Sequence, residues 1–255
     1  MGLVEIGSHG QATLLTFHGG DAGNRLSLAL ARDILFALRQ VTGNTSTRAV
    51  VLQGGENFSV GADLKERAAL SQEEWFGHHA VFEDLAQALQ DLPQPTIAAV
   101  RGWALGGGAE IALACDIVVA SRDARFGQPE ALRGLVPGMG GPQLLQRRLP
   151  AGLAAYLLYT GKPLDAAEAL RHGLVTFVDD APLERALAIA DDIAQASPAA
   201  VRALRRLLRR PSAPFREAYR DELEAWRSAV ASGDAVEGAR AFRDKRSPVF
   251  SDPVG

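Results

Sequence analysis

The chain of 255 residues has one cysteine, Cys115, so no internal disulfide can form. A fold built on oxidation is excluded, and a reducing, cytoplasmic setting is expected. An excess of charge of either sign is lacking too, the formal net charge being −3. Such a chain exerts no long-range pull on phosphate backbones or anionic lipid, which argues against nucleic acid and membrane surfaces as partners. No stretch of about 18 apolar residues runs without a charge, and the opening MGLVEIGSHG lacks a basic segment ahead of an apolar one. Neither a spanning helix nor a secretory leader is expected. Lysine is nearly missing, with only Lys65, Lys162 and Lys245. What is abundant is apolar side chains, 47% of residues and enough for a sizeable core, and glycine, much of it clustered.

The order of patterns indicates an α/β body. Strands are expected at Leu3 to Ile6, Ala12 to Phe17, Arg48 to Gln53, Thr96 to Val100 and Asp116 to Ala120. Between them, apolar residues at helical spacing follow Ser27, fill 72 to 92 up to Pro93, and occupy 109 to 114. Beyond about residue 140 helices dominate: 151 to 159, 165 to 172, 182 to 196, 199 to 210 and 215 to 231, with one short strand at Leu174 to Val178. Proline at 198 and 214 stands where it starts helices.

Three segments carry chemistry. In ALGGGAE (104 to 110), consecutive glycines between an apolar strand and a helix let backbone approach a ligand and leave the first helical N–H groups pointing at it, an arrangement suited to an oxyanion. The Lys and Ser/Thr of a nucleotide-phosphate loop are missing after the last glycine. In ARFGQPEALRGLVPGMGG (124 to 141), Glu130 follows a proline at an expected helix start. Alone, Glu130 or Glu110 is a first-turn carboxylate complementing a helix dipole. Together, each in an apolar glycine-rich setting where an ionised carboxylate is costly, they form a candidate acid/base pair. The third segment, NFSVGADLKE (57 to 66), taken alone is a helix start capped near Asp63.

In this order and spacing, FSVGADLKE, PTIAAVRGWALGGGAEIALACDIVVAS and ARFGQPEALRGLVPGMGG resemble the enoyl-CoA hydratase/isomerase (crotonase) superfamily, its hydratases most closely. The likeness extends through LYTGKPLDAAEALRHGLV to AFRDKRSPVF near the end. It implies a crotonase-like spiral of ββα repeats over 1 to 195 and a C-terminal helical trimerisation region over 196 to 255, assembled as homotrimer or hexamer. By motif position it implies an oxyanion hole from the N–H groups of Ala62 and Gly107, acid/base work by Glu110 and Glu130, and Gly138 backbone near the attacking water. Asp63, Leu64, Lys65, Phe242 and Lys245 become candidates for binding an acyl-CoA thioester, with the lysines facing phosphates and Phe242 flanking the adenine from a neighbouring subunit. Coenzyme A belongs to the substrate, so no separate cofactor is implied. Pro142 stands where many relatives carry a hydroxyl, and Trp75 and Trp103 place bulk near the acyl pocket or its mobile wall.

Two other readings are weighed. Arg202, Arg205, Arg206, Arg209 and Arg210 share one helical face, which is expected to be solvated rather than a nucleic-acid or membrane patch. His78 and His79 adjoin without further ligand spacing, so no metal site is expected. Within the resemblance, an enoyl-CoA isomerase and a non-catalytic acyl-CoA-binding protein remain the alternatives to a hydratase.

Overall fold

The computed structural model describes residues 2–196, 198–209, 219–220, 223, 226–227, 230–231, 233–246 and 248. Strands β1 (Val4–His9), β2 (Ala12–Phe17), β3 (Ala49–Gln53), β4 (Thr96–Val100), β6 (Ile117–Ala120) and β9 (Phe177–Val178) form one sheet in the order β1-β2-β3-β4-β6-β9. Only β1 and β2 are antiparallel in it. A second sheet, β5-β7-β8, is made of Trp103–Leu105, Arg125–Gly127 and Leu164–Asp165.

Both faces of the main sheet are covered, which is why its central strands are continuous apolar runs. Val50, Leu52, Ala98, Val100, Val118 and Ala120 enter the large core with helices α1 (Leu28–Thr42), α3 (Gln72–Asp91) and α4 (Gly107–Ala114). The alternate residues Ala49, Val51, Ile97, Ala99 and Val119 pack on Ala186 and Ala190 of α8 (Pro182–Ala194). Period-two alternation thus feeds two cores rather than core and solvent.

Caps set the helix starts that matter. Ser27 accepts the Leu30 N–H for α1, and Ser71 with Glu74 closes a capping box for α3. Asp63 accepts the N–H groups of Lys65 and Glu66 to start the short α2 (Leu64–Arg67). Helix α4 begins two residues earlier than the sequence pattern indicates, on the glycines themselves. The strand expected at 174 to 178 narrows to Phe177–Val178, and β5, β7 and β8 are too short to announce themselves by pattern. Helices α5 (Gly141–Gln146), α6 (Ala151–Thr160) and α7 (Ala166–Arg171) lead on to α8. Of the helix expected over 215 to 231, Tyr219, Leu223, Trp226, Val230 and Ala231 are among the described helical residues; Arg210, Pro214 and Phe250 lie outside them.

The arginine face departs from expectation. Helix α9 (Pro198–Leu208) turns Arg205 inward, with Nε 2.8 Å from Asp116 Oδ2, while Arg209 Nε reaches Asp116 Oδ1 at 2.8 Å. Arg205 also donates to the Leu92 and Leu89 carbonyls, and Arg209 to that of Ala114. Burial pushes the Asp116 carboxyl up, but the two guanidiniums outweigh it and hold it below its usual range. Two of the five arginines therefore clamp α9 onto the sheet, because i, i+4 side chains meet one carboxylate at the start of β6. The last described helix, α10 (Asp234–Arg243), packs against α2 and the turn at Glu130–Arg133.

Candidate active site

Between α2, α3, α4 and the 3-10 turn Glu130–Arg133 lies a cavity of about 400 Å³. Two backbone segments meet at its wall. Gly61 has φ +87°, and a Cβ there would stand 2.7 Å from the Leu105 oxygen and 3.4 Å from the Gly107 nitrogen. Only glycine admits that approach, which sets Ala62 beside the N-terminus of α4. The Ala62 and Gly107 N–H groups have no acceptor in the chain among the described residues, and both residues line the cavity. Free donors at a helix N-terminus suit a developing negative charge.

Two carboxylates face the same space. Glu110, on the first turn of α4, is 3% exposed, and its Oε1 accepts the N–H of Met139 at 2.7 Å and of Gly141 at 2.8 Å. Glu130 lies deep in the protein yet keeps part of its surface open to the cavity. Its Oε1 stands so close to Gly106, which has φ +51°, that a Cβ there would sit 2.6 Å away. Buried Gln128 turns its amide nitrogen to Glu130 at 3.0 and 3.3 Å from the two oxygens. Burial raises the pKa of both groups, and the Glu110 charge raises that of Glu130 further. Their titrations are those of a pair.

Several residues on this wall have no signature in the sequence. Arg67, the last residue of α2, is 6% exposed and lines the cavity. His79 is buried on α3, 3.6 Å from the Trp226 ring centroid, and donates from Nε2 to the Gly138 carbonyl at 3.1 Å. Burial, then the charge of Arg67, pushes its pKa well down, so the ring is neutral. Tyr219 donates to the same carbonyl, so Gly138 offers the cavity its backbone rather than a free oxygen. A charged or aromatic residue on a helix gives no sign in one dimension of facing inward.

Of the residues singled out in the sequence, the cavity gathers Ala62, Leu64, Gly107, Glu110, Glu130, Gly138 and Phe242. Asp63 is engaged in capping α2, and Lys65 and Lys245 do not line it; the cations at its wall are Arg25, Arg67 and Arg133. Phe242 stands on this chain's own cavity, its ring centroid 4.9 Å from the Arg133 guanidinium. Trp75 and Trp103 are off the cavity wall: Trp75 is buried with its indole donating to the Arg67 carbonyl, and Trp103 is on β5 with its ring partly exposed. Among the described residues no His, Cys, Asp and Glu cluster is placed to hold a metal, and no helix is long and apolar enough to cross a membrane.

Comparison with known proteins agrees with this geometry. The family model described as enoyl-CoA hydratase/isomerase matches residues 9–253. A probable enoyl-CoA hydratase of Rhizobium meliloti is 40% identical over 97% of this chain and 96% of its own length. The 2,3-dehydroadipyl-CoA hydratase of Escherichia coli is 37% identical over 93% and 94%. The crystal structure of an enoyl-CoA hydratase from Mycobacterium avium subsp. paratuberculosis superposes with a TM-score of 0.86 at 27% identity, covering 99% of this chain and all of that one. A match spanning both sheets and every wall of the cavity leaves one conclusion: the chain belongs to the enoyl-CoA hydratase/isomerase family.

Proposed function

We propose that this enoyl-CoA hydratase, which adds water reversibly to a 2-trans-enoyl-CoA to give the 3-hydroxyacyl-CoA, does so with Glu130 and Glu110 on one water and with Ala62 and Gly107 on the thioester oxygen. The water oxygen bonds to C3 while its proton passes to the Glu130 carboxylate. The C2–C3 π pair moves toward the thioester, and the charge reaching its oxygen is met by the two N–H groups. Each such donor contributes about 3 to 4 kcal/mol to the transition state. Collapse of the enolate takes the proton from Glu130 to C2, which restores the carboxylate. Glu110, pinned by Met139 and Gly141, orients the water. Proton transfer of this kind is worth roughly 10² to 10⁴ in rate. Coenzyme A enters as part of the substrate.

The observation that carries this reading is the joint presence, on one cavity, of two carboxylates, Glu110 buried and Glu130 partly open, and of two N–H donors that have no acceptor among the described residues. A double-bond isomerase manages with one carboxylate and no water, so the second favours hydration. For assembly we take the homotrimer or hexamer of the resemblance, supported by exposed apolar side chains such as Tyr159 and Leu208. The test is hydration of crotonyl-CoA and longer 2-enoyl-CoA thioesters, followed by loss of the conjugated thioester absorbance. No turnover with any of them would refute the activity.

A further inference from the structure

Arg67 is a buried cation that the hydration chemistry leaves unused. Its guanidinium lies 5.0 Å from the Phe82 ring centroid and 5.7 Å from that of Trp75, and its Nε has no hydrogen-bond partner. The nearest carboxylates have other partners: Glu66 holds the Leu28 N–H, Glu110 those of Met139 and Gly141, and Glu130 the Gln128 amide. No carboxylate is in ion-pair contact with Arg67 among the described residues, although Glu110, Glu130 and Glu66 act on it at longer range. Burial lowers its pKa only to about 10, so it remains charged at neutral pH.

Its position tells which part of the substrate it meets. The flank shared by His79, Phe82 and Trp226 is aromatic and buried, whereas Arg25 and Arg133 keep part of their surface in solvent. A bulky coenzyme A needs the solvent side, so the acyl chain is what reaches the aromatic flank. A plain hydrocarbon tail there would cover a guanidinium with methylenes and leave its donors unmet, an unfavourable arrangement. A carboxylate would satisfy the fork with charge-assisted hydrogen bonds.

We propose that Arg67 forms a subsite for an acyl chain bearing its own carboxylate, which makes the preferred substrates dicarboxylic enoyl-CoA thioesters. The proposal rests on the hydratase reading above. Its test compares kcat/KM for pairs of 2-enoyl-CoA thioesters of five and six carbons, each pair differing only in a terminal methyl against a terminal carboxylate. The wild-type enzyme should favour the carboxylate member by about tenfold to a hundredfold, the range for a hydrogen bond to a charged group. In Arg67→Met that ratio should fall to about one or below, whichever way the absolute rates move, and Arg67→Lys should restore part of it. A wild-type ratio of one or less overturns the subsite even where no variant folds. A wild-type preference kept by Arg67→Met overturns it as well, particularly if the pH profile alone shifts, since Arg67 would then act through the glutamates. Hydration of either member of a pair reports on the hydratase reading, and the ratio within the pair on the subsite, so the two can fail independently.

Discussion

Oε1 of Glu110 lies 2.8 Å from the backbone nitrogen of Gly141, and the Met139 N–H shares the same oxygen. One carboxylate oxygen is thus tied to a glycine-rich turn, leaving the other for the cavity. Glu110→Gln keeps an acceptor for both N–H groups, so the fold should survive while water loses its orienting carboxylate. Crotonyl-CoA hydration should fall by at least about a hundredfold. Isomerisation of a 3-enoyl-CoA, where Glu130 alone moves a proton between carbons, should fall less. Equal losses with unchanged Tm would show that Glu110 does not serve the water.

Glu130→Gln retains shape but removes the proton carrier. We expect kcat to drop by roughly 10² to 10⁴ with KM little altered. Steady-state kinetics with one short enoyl-CoA decide it, and a variant with most of the wild-type kcat would remove Glu130 from the proton path.

Both carboxyls titrate above their ordinary range because burial disfavours the charged form. Hydration should therefore rise with pH through a midpoint at least one unit above the unperturbed glutamate value of about 4.3. Stability should move the other way. The folded chain holds these protons more tightly than the unfolded one, so their contribution is full below the unfolded pKa and is lost as pH rises through the raised values. Melting curves of Glu110→Gln and Glu130→Gln should thus gain on wild type as pH climbs from about 5 to about 9, over which unperturbed glutamates no longer titrate. A constant Tm difference across that range would contradict the raised pKa values.

Asp116 offers the opposite case, a carboxylate held below its usual range by Arg209 and Arg205 against the effect of burial. Asp116→Asn leaves two largely buried guanidiniums without their counter-charge. A loss of about 3 to 5 kcal/mol is expected from breaking such a cluster, measured by denaturant unfolding at neutral pH. The wild-type contribution should itself be lost as pH falls through the depressed Asp116 pKa. A change below about 1 kcal/mol, the value of an exposed pair, would mean that the clamp is solvated.

The sequence by itself determined the parts whose reason is local. Apolar runs mark β3, β4 and β6, the residues Ser27 and Asp63 mark helix starts, and the glycines of ALGGGAE mark a backbone that a ligand can approach. It also named the two glutamates, because an acid in an apolar glycine-rich stretch stands out without any coordinates. What only the tertiary structure decided is where charged and aromatic residues on ordinary helices point. Arg67 and His79 turn to the cavity, Asp63 and Trp75 are engaged elsewhere, and Arg205 and Arg209 enter the protein to meet Asp116. A helix offers all its faces to its own sequence equally, and its burial is set by partners far along the chain: Arg205 and Asp116 are 89 residues apart.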